Sequence, residues 1–562
     1  MGNIFRLLGF YALILSLGLN NCGLHIDYDL LLKNATIYDG TGSDPITGSI
    51  GITGDRIIAI GKLDGKRARQ EIDLKGQAVA PGFINMLSWA GIALLHDGRS
   101  QSDIRQGVTL EIMGEGTSMG PLNDAMKAKI KENQGDITYD ITWTTLGEYL
   151  SFLEQKGVST NVASFVGNGT IRQHVIGMEN RPATETELEK MKALVREAMN
   201  EGAVGLSSAL LYAPSMYADT AELIELAKAA AEYDGMYISH IRSESDELLE
   251  AVEELIWISK AAAIPAEIYH LKASGMANWG KLDQVIDLVE TARSAGHAIS
   301  ADMYTYPASS TGLHVQLPDW VREGGLEKAI ERCQDPELRE KILADISFSN
   351  PPNRILLNGF RNDALKIYAG KRLDEVARER GVTPAEATID LIAEDESRIS
   401  VVYFSMDEAN IDKKVALPWM SFCSDAGSIA NEGVFIKRKT HPRAYGSIIR
   451  VLGTFVREKQ ILTLQEAVRK LSGLPAKNLK LVDRGLLKPG YFADVVVFDP
   501  AKVTDKATFD EPHQYAEGVI HVWVNGTQVL KDGEHTGATP GRFVKGPGAG
   551  RTTHSVEASE NP

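Results

Sequence analysis

Cysteine is scarce in this chain: Cys22, Cys333 and Cys423 are the only three in 562 residues. That spacing supports neither a disulfide framework nor a cysteine-based zinc motif. Long apolar runs are also missing. The one conspicuous stretch, from Leu7 to Leu19 behind the single basic residue Arg6, is too short to span a bilayer and suits a signal-peptide core. Cys22 follows almost at once, where a bacterial lipoprotein signal places the cysteine that is lipidated after cleavage, although Leu19-Asn20-Asn21 departs from the small residues usual before it. Residues 1–22 are therefore expected to direct export, leaving the protein periplasmic or held to a membrane through a lipid on Cys22. An uncleaved apolar anchor is the alternative. A basic surplus is absent too. Against 59 Lys and Arg stand 75 Asp and Glu, a net charge of −16, which argues against nucleic acid or an anionic membrane as partner. A small-molecule substrate remains compatible with that charge.

What is present is ordinary for a soluble globular chain, 43% hydrophobic and 24% charged, and long enough for one large domain with a satellite. From about 28 to 80 the pattern is short strands and glycine turns, and the same texture returns over 481–545 with Val519-Ile-His-Val-Trp-Val and the turn Asn525-Gly526. Both ends are expected to build one small β-sandwich domain. Between them, over 81–480, strands and helices alternate, which predicts an α/β fold, a (β/α)₈ TIM-like barrel. A largely helical stretch at about 312–394 is longer than one barrel repeat needs and reads as an insertion covering the site mouth. The tail over 546–562 is polar and expected to be disordered.

Two histidines each close a short apolar run: Gly235-Met-Tyr-Ile-Ser-His240 and Pro265-Ala-Glu-Ile-Tyr-His270. The stretch between, about Asp246 to Ala263, has the periodicity of an amphipathic helix. Strand, helix, strand sets both imidazoles on the same carboxyl-terminal rim of a parallel sheet, where a barrel hydrolase can hold a divalent metal. Asp425 ends another strand-like run from Trp419 to Ser424, and helix capping is its structural alternative.

Several motifs resemble the amidohydrolase superfamily, and specifically its N-acyl-D-amino-acid deacylase (D-aminoacylase) branch. They include Asp29-Leu-Leu-Leu-Lys-Asn-Ala-Thr-Ile-Tyr-Asp-Gly-Thr-Gly, Val79-Ala-Pro-Gly-Phe-Ile, Gly202-Ala-Val-Gly-Leu-Ser-Ser, Ala301-Asp-Met-Tyr-Thr-Tyr, Ser424-Asp425, His441-Pro-Arg443 and Leu487-Lys-Pro-Gly-Tyr-Phe-Ala-Asp. Their order and spacing cover about Tyr28 to Gly541. Two positions depart from the family pattern. Leu87 and Trp89 stand where a His-x-His pair is usual, so the metal subsite built on that pair should be absent. The shared cysteine ligand falls on Gly116, one residue after Glu115.

The resemblance implies a metal set of Glu115, His240 and His270 holding one Zn²⁺, with Glu115 taking over from the missing cysteine; a carboxylate is a competent zinc ligand. It implies that Asp425 is the catalytic proton shuttle, moving a proton from a zinc-activated water to the leaving nitrogen. Lys272 and Arg443 match positions that grip the substrate α-carboxylate, and Tyr304 and Ser310 match polar pocket positions. His441, before a proline, reads as structural. The function implied is hydrolysis of N-acyl-D-amino acids to a carboxylate and a D-amino acid. Two alternatives stay open: a related hydrolase of D-aminoacyl peptides, dipeptides or cyclic amides, and a non-catalytic binding protein on a decayed scaffold.

Overall fold

The computed structural model describes residues 26–551. The export segment and Cys22 lie outside the described residues. Within them no helix is long and apolar enough to cross a membrane.

Eight parallel strands form the barrel: β1 Phe83–Asn85, β2 Val108–Met113, β3 Asn161–Ser164 (continued by Val166–Gly167), β4 Gly205–Ala209, β5 Met236–His240, β6 Ala266–Ile268, β7 Ile299–Met303 and β8 Met420–Phe422. Hydrogen-bonded pairing runs β1–β2–β3 and then from Val166–Gly167 through β4, β5, β6 and β7 to β8. The seam closes where the Met86 N–H donates to the Phe422 carbonyl (3.3 Å) and the Asp425 N–H to the Leu87 carbonyl (2.9 Å). These strands are buried throughout because helices cover their outer face, so they read as continuous apolar or small-residue runs. The helix between β5 and β6 is Leu248–Ala262; Leu248, Val252, Leu255 and Ile258 are buried on one side of it and Trp257 is exposed on the other.

Nine strands from the two chain ends join in one mixed sheet. The joint is Val495–Phe498, which pairs antiparallel with Ala78–Pro81, so the C-terminal strands are stitched to the segment leading into β1. Leu32, Ile50, Ile57, Val495 and Trp523 form its own core.

The segment read as a helical insertion is bracketed by strands that sequence reading missed. Ser309–Gly312, Ser400–Tyr403 and Ile355–Gly359 form a three-stranded antiparallel sheet, with helices such as Leu326–Gln334 and Pro384–Asp395 packed on a separate apolar core. Ser309-Ser-Thr-Gly312 carries no apolar alternation, so nothing local marks it as a strand; its partner Ser400–Tyr403 supplies the order. The first residues of the supposed disordered tail are likewise placed. The Gly546 N–H donates to the Gly202 carbonyl and the Gly550 N–H to the Asn200 carbonyl, each at 2.9 Å. Backbone pairing, which composition cannot register, holds them to the barrel.

Candidate active site

Every expected site residue lines a single cavity of about 680 Å³ at the carboxyl-terminal end of the barrel: Glu115, His240, His270, Lys272, Tyr304, Ser310, Asp425 and Arg443. Their placement follows from the strands. His240 is the last residue of β5, Glu115 lies just past β2, His270 just past β6 and Asp425 just past β8. Two of them leave their strands with left-handed backbone, His270 at φ 34° and Asp425 at φ 48°. A non-glycine residue held there stores strain, which sites tolerate when it aims a side chain.

Glu115 sits between two glycines with positive φ, Gly114 (99°) and Gly116 (61°). A Cβ on Gly116 would meet the Ala209 Cβ at 2.3 Å, and one on Gly114 the Phe165 carbonyl at 2.3 Å. In this backbone only the middle residue of Gly114-Glu115-Gly116 can carry a side chain, so the ligand can move to Glu115 but cannot stay at Gly116.

The three expected ligands converge. Glu115 Oε1 lies 3.1 Å from His240 Nδ1 and 2.8 Å from His270 Nε2, and those two nitrogens are 3.0 Å apart. No placement of protons satisfies all three contacts. If both imidazoles donate to the carboxylate, their N–H groups face each other; if one accepts from the other, it loses its bond to Glu115. A shared cation satisfies all three lone pairs at once. Ligands about 2.0 Å from one tetrahedral zinc stand roughly 3.3 Å apart, close to this triangle. The residues present therefore fit one divalent ion, and the three form a compact buried metal-binding group. Burial pushes the Glu115 carboxyl up, but the His270 and His240 imidazoles outweigh it and hold Glu115 well below the usual range. Burial and Lys272 pull His270 down, yet Glu244 and Glu115 raise it to about 10.

Glu244 was not singled out from sequence. Its Oε1 accepts from Lys272 Nζ (2.5 Å) and lies 3.0 Å from His270 Nδ1. Lys272 Nζ lies 2.7 Å from the same nitrogen, so a His270 Nε2 lone pair facing the metal position requires Nδ1 to carry its proton toward Glu244 rather than accept from Lys272. A local signal existed, since Glu244 follows His240 by four residues, but a loop does not reveal its direction. Asp302, inside the quoted Ala301-Asp-Met run, accepts the His270 backbone N–H at 2.8 Å. Burial raises its carboxyl to about 6.

Asp425 is gripped from two sides. The Trp89 indole N–H donates to Oδ1 at 3.1 Å, and Arg443 Nη1 lies 2.6 Å from Oδ2. Trp89, at a position where the family resemblance leads one to expect a histidine, thus aims a donor at the Asp425 carboxylate, while Leu87 is fully buried. The Arg443 guanidinium also stacks on the Tyr304 ring at 4.5 Å and donates to the Ser310 carbonyl at 3.3 Å. Burial pulls Arg443 down, and Asp425 more than restores it. His441 is structural: Nδ1 accepts the Arg443 backbone N–H (3.0 Å) and Nε2 donates to the Ala308 carbonyl (2.9 Å). Among the described residues the buried Tyr304 hydroxyl has no hydrogen-bond partner. The Ser310 proton is spent on the Val401 carbonyl at 2.9 Å, leaving only its lone pairs for a ligand.

Residues 437–530 match the amidohydrolase family. The D-aminoacylase of Alcaligenes xylosoxydans xylosoxydans is 33% identical over 523 residues, covering 92% of this chain and 97% of that protein. The chain belongs to the D-aminoacylase family of amidohydrolases. A solved D-aminoacylase superposes with a TM-score of 0.77 at 32% identity, over 92% of this chain and 100% of its own. The N-acyl-D-glutamate deacylase of Bordetella bronchiseptica, solved with zinc and a phosphonate mimic of the tetrahedral intermediate, does so with a TM-score of 0.77 at 29% identity, over 92% of this chain and 99% of that one. Family membership accounts for the barrel with its two-ended β satellite.

Proposed function

We propose that this chain hydrolyses the amide bond of N-acyl-D-amino acids, releasing a carboxylate and a D-amino acid, with one zinc ion held by Glu115, His240 and His270. The observation that carries the reading is the frustrated 2.8–3.1 Å triangle of these three donors in the same cavity as Asp425. When bound, the ion would polarise the scissile carbonyl and bring a water's acidity toward neutrality. The rest falls to the protein. Asp425 accepts the proton of the attacking water and returns it to the leaving nitrogen, a transfer that needs its carboxylate held in one orientation, as Trp89 and Arg443 do here. Tyr304, with its unpartnered hydroxyl, and the cations Lys272 and Arg443 bind the substrate α-carboxylate. Burial of these groups makes each contact worth more than it would be in water.

The test is metal content combined with hydrolysis of paired N-acetyl-D- and L-amino acids. One zinc per chain and turnover of the D series are expected, with Glu115→Gln losing both. A zinc-loaded, folded protein inert toward a broad acyl-amide panel defeats the reading. We also propose export directed by residues 1–22 with lipid attached to Cys22. Palmitate labelling lost in Cys22→Ser supports it, and full-length unlabelled cytosolic protein refutes it.

A further inference from the structure

Asp425 leaves β8 in left-handed backbone at φ 48°, a conformation that a non-glycine residue keeps only where its surroundings over-determine it. Much of that constraint comes from one side chain at the end of β1. Asn85 is fully buried, and its amide spans Ser424, the residue before Asp425. Oδ1 accepts the Ser424 N–H at 2.8 Å, and Nδ2 donates to Ser424 Oγ at 2.8 Å. The second Nδ2 hydrogen goes to Asp103 Oδ1 at 2.9 Å. Both donors of the amide are thereby committed.

Its two edges are not interchangeable. A backbone N–H can only donate, so the edge facing the Ser424 N–H must be the oxygen. The other edge needs an acceptor, and Asp103 supplies one. Asp103 belongs to the short helix Gln101–Ile104, is fully buried, and takes a second hydrogen bond from the Ser102 hydroxyl at 3.3 Å. Ser424 carries the constraint onward, because its Oγ accepts the Ala426 N–H at 3.3 Å from the far side of Asp425. The chain just past β1 adds backbone bonds: the Asp425 N–H donates to the Leu87 carbonyl and the Trp89 N–H to the Ala426 carbonyl, each at 2.9 Å. The segment that presents the Trp89 indole is therefore anchored to the same turn that Asn85 grips. Asn85 itself does not line the cavity, so its effect on a reaction there must pass through that turn.

We propose that Asn85, oriented by Asp103, is a positioning residue: it fixes Ser424 and so holds the Asp425 carboxylate in line with the attacking water and the leaving nitrogen. The proposal rests on the reading of Asp425 as the proton shuttle. Misplacing a reacting group by about 1 Å can cost on the order of 100-fold in rate, so Asn85→Leu, near in volume but unable to hydrogen-bond, should lower kcat about 10- to 100-fold. KM should change far less, because Lys272 and Tyr304 follow other strands, β6 and β7. Zinc content should stay the same, because the three ligands are held elsewhere. Asn85→Asp keeps the acceptor for Ser424 but sets a carboxylate against Asp103, and should also slow the reaction. Combining it with Asp103→Asn reverses the polarity of the pair and should recover most of the loss.

The test joins steady-state kinetics on N-acetyl-D-amino acids to fluorine NMR of the zinc-loaded full chain labelled with fluorotryptophan. The Trp89 signal is the one missing from Trp89→Phe. It reports the indole contact with Asp425 without any turnover, and Asp425→Ala sets its displaced position. Asn85→Leu should move the signal toward that position while kcat falls, and the double variant should return both toward the parent values. An unchanged kcat in Asn85→Leu overturns the proposal. So does a fall in kcat with the Trp89 signal unmoved, or a loss expressed in KM or zinc content instead of kcat. A double variant that recovers nothing overturns the role of Asp103. If the parent protein turns over no acyl-amide, the hydrolase reading fails and the Trp89 signal alone decides whether Asn85 positions Asp425. If Asn85→Leu does not fold, Ser424→Ala decides on the same two readouts; it keeps the backbone bond and loses the hydroxyl, so a loss of about threefold to tenfold is expected.

Discussion

Trp89 contributes a single polar contact to the candidate site, and that contact is open to direct test. At a position where the family resemblance leads one to expect a histidine, this chain places an indole, 47% exposed, whose N–H holds Asp425. Trp89→Phe removes one of the two grips on the carboxylate. Because the contact is half open to water, we expect a loss of about 1 kcal/mol, roughly fivefold in kcat, with metal content unchanged; steady-state kinetics and metal analysis check it. Gly116 is the counterpart in backbone terms. At φ 61°, with a Cβ landing 2.3 Å from Ala209, Gly116→Ala combines left-handed strain with a clash. It should cost about 2–4 kcal/mol of stability and lower zinc occupancy, measured by urea unfolding and metal analysis. Sequence alone raised Glu115 as a replacement ligand and found Leu87 and Trp89 out of pattern. The bond from Trp89 to Asp425 could not be read, because 336 positions separate them.

At the scale of elements, the histidines were legible because each closes its own strand run, a local pattern. The insertion was only partly so. Its helices announce themselves by capping boxes such as Thr383 with Glu386, whereas Ser309–Gly312 becomes a strand only through its partner. Its core is independent of the barrel core, so Leu357→Ala, at a fully buried position, should cost about 2–5 kcal/mol within the insertion. Hydrogen exchange should report early opening of residues 309–403, and KM should rise more than kcat if that wall binds substrate. A second expectation concerns β6. Glu267 is buried in the barrel among Ser300, Ser421 and Asn478, and burial, then the charge of Asp302, pushes its carboxyl up to about 8. The folded state therefore prefers it protonated. That contribution is fully present below the ordinary carboxylate range and is lost as pH rises toward about 8. Denaturation midpoints should fall across this window, by no more than about 1.4 kcal/mol per pH unit from this group, and Glu267→Gln should flatten the slope.

At the scale of the whole molecule, one buried polar network ties the β satellite to the barrel. Arg484 bonds to Asp494 and donates to Asn525 Oδ1 (2.9 Å), and the Asn525 amide donates to Asn161 of β3 (2.8 Å). Asp494→Asn strands the Arg484 charge in a dry site and should cost about 3–5 kcal/mol, visible as a lowered unfolding midpoint. The motif Leu487-Lys-Pro-Gly-Tyr-Phe-Ala-Asp494, which pointed to the family, is thus explained in part by assembly rather than chemistry. By itself the amino-acid order determined the alternation of strands and helices, the two-ended satellite, and which side chains stand at strand ends, because burial period and turn chemistry act over a few residues. Only the closed barrel decided that Glu115, His240 and His270 crowd into mutual conflict and that Trp89 and Arg443 share Asp425. Those facts depend on distances between segments far apart along the chain, set by strand pairing and packing.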